Sequence, residues 1–179
     1  MDSINKQQKE KNREDLSNKA AVDKLRELIH KTKTCFFDTG NASIDSNGVR
    51  PMTVQQVDDA GNLWFLSAND SHKNEDIAAD RTVKLFFQGS AHSDFMYITG
   101  KAIIIHDRNK IDELWEPIMK TWFTEGKDDP RISVIKFTPE DGYYWDTKHG
   151  NFVAGVKVMI GAALGVTLDD SLEGAIKVS

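Results

Sequence analysis

Four side chains suited to gripping a dianion lie between residues 50 and 73: Arg50, Ser67, Ser71 and Lys73. An Arg offers a planar two-pronged donor and a Lys a compact point charge, and two hydroxyls add neutral donors, which together suit a group carrying about −2. Ser71 ends the run Asn69-Asp70-Ser71, a cluster of helix-capping residues. Lys73 therefore falls just inside a helix whose first N–H groups are free to face an anion. Taken singly, Arg50 and Lys73 read more readily as solvated surface charges, and Ser71 as a cap; it is the set, on successive elements, that makes a cradle. Nothing else in the sequence competes as a chemical centre. The five His (30, 72, 92, 106, 149) lack metal-ligand spacing, and the single Cys35 excludes an internal disulfide or a Cys-based zinc site. There is no Gly-x-Ser-x-Gly elbow, P-loop or dinucleotide-binding glycine signature. Asp128-Asp129 before Pro130 reads as a loop, and no carboxylates are paired for acid/base work, so no catalytic residue is singled out.

The elements that must hold this cradle follow from periodicity. Residues 50–57 read as a strand with Met52, Val54 and Val57 in rough alternation, residues 58–62 as a hairpin loop, and residues 63–67 (LWFLS) as a buried strand. A helix then runs from Ser71 through Ala79. Further strands are expected at 82–88 and 95–106, the latter with a bulge or close approach at Gly100. Ile111, Leu114, Trp115, Ile118, Met119 and Trp122 fall on one continuous helical face. Residues 131–137 read as a strand, 138–142 as a turn and 143–146 as a last strand. On the N-terminal side, residues 1–17 read as a polar, flexible segment and 18–31 as an amphipathic helix. Strands at 34–39 and 42–44 follow, with a turn at 46–48. On the C-terminal side a helix is expected at 152–164, within a segment 151–179 packed on the same domain, and 166–179 give no clear signal.

Composition sets the class. A chain of 179 residues with 39% hydrophobic residues suffices for one sizeable core. Residues 1–33 carry nine Lys/Arg against six Asp/Glu, leaving 14 against 22 in the rest, so the acidic body does not suit a nucleic-acid binder. No apolar run approaches the ~20 residues needed to span a bilayer. The polar N-terminus does not read as a signal peptide. The expectation is a cytoplasmic protein without a membrane or nucleic-acid partner.

The order of these features resembles the FMN-binding split-barrel flavoproteins related to pyridoxamine 5'-phosphate oxidase, and within them the general stress protein group. Arg50-Pro-Met-Thr lies on one strand, Trp64-Phe-Leu-Ser on the next, then Ser71-x-Lys73 at a helix start. The resemblance continues through Phe95-Met-Tyr-Ile-Thr-Gly-Lys-Ala102, Leu114-Trp-Glu-Pro117, Trp122-Phe123 and Asp128-Asp-Pro130 to Tyr143-Tyr-Trp-Asp146, covering roughly residues 20 to 150. It implies a mainly β fold with flanking helices (α+β), a six-stranded antiparallel split β-barrel over residues 18–150, with FMN as cofactor. By the same resemblance Arg50, Ser67, Ser71 and Lys73 would hold the FMN phosphate, with His72 where the oxidase has an Arg. Pro51, Met52, Thr53, Val54 and Gln55 would offer backbone groups along the isoalloxazine edge, and Leu66 would stand by the ring or ribityl chain. A homodimer with FMN at the subunit interface is implied too, with Phe95 leading the interfacial strand and Trp145 matching a cofactor-contacting Trp; Trp115 and Trp122 are further interface candidates. Two departures matter. Gln55 replaces an oxidase Lys near the flavin pyrimidine edge, and no Arg follows Arg131, so the oxidase's Arg-x-His-Asp substrate clamp is missing. The resemblance thus implies an FMN-dependent, stress-related oxidoreductase for an unidentified small molecule, not a true pyridoxamine-phosphate oxidase. The alternative is a non-enzymatic flavin-binding or flavin-sensing stress protein.

Overall fold

The computed structural model describes residues 11–40, 48–90, 93–149 and 170–178, together with Ala154, Lys157 and Met159. The chain runs β1 (Leu16–Ser17), α1 (Asn18–Lys31), β2 (Thr34–Asp38), β3 (Val49–Thr53), β4 (Gln56–Val57), β5 (Leu63–Ala68) and α2 (His72–Ala79). It continues with β6 (Thr82–Gln88), β7 (Phe95–Ile105), α3 (Arg108–Leu114), 3-10 turns at Pro117–Thr121 and Gly126–Asp128, β8 (Ile132–Thr147) and β9 (Ser171–Lys177). The architecture is mainly β with flanking helices, as expected. The expected strand at 42–44, most of the turn at 46–48 and nearly all of the helix at 152–164 lie outside the described residues.

Strand alternation decides what faces inward. In β6, Val83, Leu85 and Phe87 are buried while Lys84 and Phe86 point out, and in β2 Cys35 and Phe37 are buried while Phe36 is exposed. Antiparallel pairs link β3–β2–β6–β7–β8–β5–β4. The two ends of this order meet, because β3 runs into β4 through Val54 and Gln55. Val54 N–H donates to the Lys33 carbonyl beside β2 (2.8 Å), and Gln55 N–H donates to the Trp64 carbonyl of β5 (2.8 Å). That is the split-barrel arrangement, with Val54, Phe37, Phe65, Leu85, Ile98 and Phe137 in its core. Phe37 and Phe65 meet edge-to-face at 5.4 Å. β5 is apolar on both faces, and the reason is visible. Leu63 and Phe65 enter the barrel core, whereas Trp64, Leu66 and Ala68 pack on a second core of Ile111, Leu114, Met119, Phe123, Ile132 and Val134.

Three expectations are corrected. The helical stripe from Ile111 to Trp122 is broken: α3 stops at Leu114, Trp115 and Glu116 are extended, and a 3-10 turn starts at Pro117. Pro117 lacks an N–H and excludes the α conformation for the residue before it, which outweighs the apolar spacing. Met119 is buried, but Ile118 and Trp122 are left about 60% exposed. Next, residues 138–142 do not turn. β8 passes straight through them as a 16-residue strand, and the Thr-Pro-Glu-Asp-Gly run is absorbed by a bulge, with Thr99 opposite Asp141 and Gly100 opposite Pro139. Finally, residues 11–17, the described part of the segment expected to be flexible, are held in place. Arg13 bridges to Glu173 and β1 pairs in parallel with β9, while the Tyr144 hydroxyl donates to the Glu14 carbonyl at 2.9 Å. The partner that orders this polar stretch is β9, in the C-terminal region where the sequence gives no clear signal.

Buried charge ties the periphery down. From α1, Lys24 reaches Asp146, and Lys31 reaches Asp94 at 2.7 Å. Asp170 is buried and accepts hydrogen bonds from Lys157 Nζ (2.7 Å) and the His149 backbone N–H (2.9 Å), with His149 Nδ1 at 2.7 Å. Burial by itself pushes the Asp170 pKa up; the hydrogen bonds from His149 and Lys157 outweigh it and hold the group at about 2. A carboxylate whose folded pKa is depressed contributes stability above its unfolded pKa, near 4, that is lost as pH falls towards 2. Wild-type and Asp170→Asn proteins should therefore differ in chemical-denaturation midpoint at pH 6 and converge near pH 2. A constant gap across that range would exclude this origin.

Candidate functional site

β3, β5 and part of the second core line a cleft of about 710 Å³, within the ~300–1,000 Å³ range of small-molecule sites. Pro51, Met52, Thr53 and Gln55 line it from the β3 side, and Leu66, Ser67 and Ala68 from β5. Lys73 lines it from the first turn of α2. Glu116, Ile118, Met119, Trp122 and Phe123 line it from the segment that follows α3. Met119 and Phe123 are anchored in the second core, where Phe123 and Trp115 rings lie 6.4 Å apart.

At the α2 end the polar groups converge. Lys73 Nζ donates to Ser71 Oγ (3.1 Å), and the Ser71 and Ser67 hydroxyls are 3.3 Å apart. Ser67 also donates to Asn74 Oδ1 (2.8 Å); the Asn74 amide in turn donates to Ser133 Oγ (2.8 Å), and Ser133 donates to the Ser67 carbonyl (3.1 Å). Asn74 and Ser133 are 4% and 0% exposed. They hold Ser67 in place from behind, which makes them positioning residues. Burial, and secondly the positive charge of Arg50, lower the Lys73 pKa, with Asp70 opposing. A buried ammonium whose charge is further disfavoured by a nearby guanidinium is an arrangement that an anion relieves.

The remaining expected residues are placed as follows. Arg50 forms an ion pair with Asp76 of α2 (3.3 Å), and Asp76 also accepts from the Thr39 hydroxyl (2.7 Å). The Val54 side chain is buried in the barrel core. His72 is exposed and faces Glu75 at 3.3 Å. The Gln55 amide donates to the Thr53 carbonyl (3.1 Å). Phe95 and Trp145 are direct cross-strand partners on β7 and β8 and do not line the cleft. Trp145 instead belongs to an exposed aromatic surface. Pro51, Phe36, Phe86, Tyr97 and Tyr143 are successive register partners across five strands, and Trp145 packs on Tyr143 (4.8 Å) and Tyr97 (6.2 Å). This row reaches the cleft at Pro51. Trp115 is half-buried against the second core, whereas Trp122 stays open to solvent.

Asn74, Asp76, Ser133 and the wall from Glu116 to Phe123 were missed by sequence reasoning. For the wall the signal was present, since Glu-Pro at 116–117 marks a helix end. For Asn74 and Ser133 there was none, because their role depends on which strand faces which helix. Among the described residues no group of three or more His, Cys, Asp or Glu is placed to hold a metal, and no helix is long and apolar enough to cross a membrane.

Comparison with known proteins agrees with this frame. Protein bli-3 of Neurospora crassa is 27% identical over 104 residues, covering 53% of this chain and 50% of that protein. General stress protein 26 of Bacillus subtilis is 27% identical over 82 residues, covering 44% and 58%. The chain thus spans only about half the length of these relatives. Among solved structures, one from Jannaschia sp. CCS1 superposes with a TM-score of 0.72 at 20% identity, covering 87% of this chain and 97% of its own. The general stress FMN/FAD binding protein of Xanthomonas citri does so with a TM-score of 0.58 at 22% identity, covering 68% and 85%. The profile described as pyridoxamine 5'-phosphate oxidase like matches residues 20–169. With that match spanning most of its length, the chain belongs to the pyridoxamine 5'-phosphate oxidase-like family.

Proposed function

We propose that this protein is a cytoplasmic FMN-binding flavoprotein, with the flavin phosphate at the α2 end of the cleft. The observation that carries this reading is the convergence of Lys73, Ser67 and Ser71, with Arg50 close by, on a cleft whose remaining lining is largely apolar. The donor set fits a phosphate dianion: an ammonium, two hydroxyls and the first N–H groups of α2. The apolar walls from Met52, Leu66, Met119 and Phe123 fit a flat aromatic ring system. A bound flavin would supply hydride or electron transfer. The chain's own part is to bind, orient and exclude water, and this reading requires no protein acid or base. Gln55 offers a neutral amide where a Lys would stabilise an anionic reduced ring, which favours a lower reduction potential.

The substrate is an unidentified small molecule, and pyridoxamine 5'-phosphate is disfavoured by the absence of any Arg beyond Arg131. The second reading, a flavin-binding stress protein without catalysis, draws on the same missing clamp. The visible spectrum of the purified protein tests flavin binding, and anaerobic titration with NADH and NADPH separates the two readings: bleaching on the turnover timescale supports an oxidoreductase, and its absence with both donors favours the other.

The quaternary state belongs to the same proposal. The aromatic row from Phe36 to Tyr143, with Trp145 beside it, leaves Phe36 59%, Phe86 41% and Trp145 41% exposed. Monomeric surfaces rarely leave so contiguous an apolar patch uncovered. A homodimer packed on this row would bring the partner subunit to the edge of the cleft at Pro51, and burial there contributes roughly 25 cal/mol per Å² of apolar area. Light scattering across a dilution series should show a dimer that releases FMN as it dissociates. A monomer with undiminished flavin affinity would exclude a shared site.

A further inference from the structure

The cleft carries a second charge that phosphate binding leaves unused. Its lining contains two charged side chains, Lys73 from α2 and Glu116 from the segment after α3. Glu116 lies between α3 and the 3-10 turn, with backbone (φ −115°, ψ 146°) held extended by the following Pro117. Its carboxylate is exposed, and Lys120, the nearest cation along the turn, does not line the cleft. Beside it on the same wall stand Ile118 and Trp122, 60% and 61% exposed. A carboxylate sharing a wall with an open indole face is suited to a cation: Coulomb attraction draws the charge and the ring quadrupole adds to it. An anion at the same place meets repulsion.

We infer that Glu116 makes this cleft selective for a cationic small molecule, an amine or a positively charged nitrogen heterocycle, with Trp122 as the face on which it rests. This rests on the reading above, because flavin phosphate at Lys73 leaves Glu116 as the charge a second ligand meets. A merely solvated Glu116 would give no discrimination between ligands of the same size and opposite charge.

The test compares benzylammonium with benzoate by calorimetry or ligand-observed NMR, on flavin-loaded and flavin-free protein, with flavin occupancy read from visible absorbance. The loaded wild-type protein should prefer benzylammonium by about tenfold or more, Glu116→Gln should narrow the gap to about threefold or less, and Glu116→Lys should reverse it. Failure of the flavin reading is seen separately as absent visible absorbance. In that event the flavin-free comparison decides, and benzylammonium affinity must still fall in Glu116→Gln. Benzylammonium that does not bind wild-type protein, or binds wild-type and Glu116→Gln equally, overturns the inference.

Discussion

Lys73→Ala is expected to weaken FMN binding by about 10- to 150-fold, equivalent to the ~1.5–3 kcal/mol of a hydrogen bond to a charged group. The ammonium forms no ion pair among the described residues; its hydrogen bond is to the neutral Ser71 hydroxyl. Burial and the nearby Arg50 already disfavour its charge. A phosphate dianion offsets both effects by direct attraction, so the charged form of Lys73 is favoured on binding. The same arrangement sets a pH dependence. The Lys73 pKa lies below its ordinary 10.5 in the protein alone and is raised by a bound anion. Affinity should therefore be flat below the lowered value and fall as pH rises through it, and Lys73→Ala should lose that fall. Flavin fluorescence titrations at pH 7 to 10 measure both effects; equal affinity in wild-type and variant protein would remove Lys73 from the site. Arg50→Ala should weaken binding comparably, but it also releases Asp76 and so loosens α2, which makes Lys73 the cleaner variant.

Gly100→Ala should destabilise the fold by about 3 kcal/mol or more, through overpacking that backbone cannot easily relieve. A Cβ at Gly100 would sit 2.2 Å from the Thr138 carbonyl oxygen, 2.8 Å from the Phe137 ring and 2.9 Å from Pro139 Cα. The two strands approach this closely because the bulge draws β8 against β7 there. Gly40 provides the contrast: it has φ +72°, but a Cβ there would meet nothing within 4 Å among the described residues, so Gly40→Ala should cost only the ~1–2 kcal/mol of a left-handed backbone. Urea denaturation of the two variants should rank them in that order. A Gly100→Ala protein as stable as Gly40→Ala would mean that the strands separate freely at the bulge.

How much was legible in the sequence depended on whether the signal was local. The start and stop of α1 followed from its own apolar stripe, with Ala21, Leu25, Leu28 and Ile29 buried as their spacing required. The alternation in β6 was equally self-contained. The polar end of the cleft was readable because Ser67, Ser71 and Lys73 come from one strand–turn–helix unit. Residues 138–142 were misread because turn chemistry is a local preference, whereas β8 gains a full ladder with β7 on one side and with β5 and β9 on the other. Pro139 is accommodated at the bulge opposite Gly100, almost 40 positions earlier. The far wall of the cleft was lost for the opposite reason. The apolar spacing from Ile111 to Trp122 was real, but a single Pro at 117 overrode it.

The pairing of β1 with β9 bears on the order in which this chain assembles. The Ala175 N–H donates to Asp15 Oδ1 at 2.9 Å, across 160 positions of sequence. At about 5–20 residues per second of synthesis, the first strand waits roughly 8 to 30 s on the ribosome before its partner exists. Closing so long a loop is entropically costly and yields little until the rest of the sheet is in place. The seam between the two ends is therefore the last part of the sheet to form, and local unfolding should begin there, well before the barrel opens.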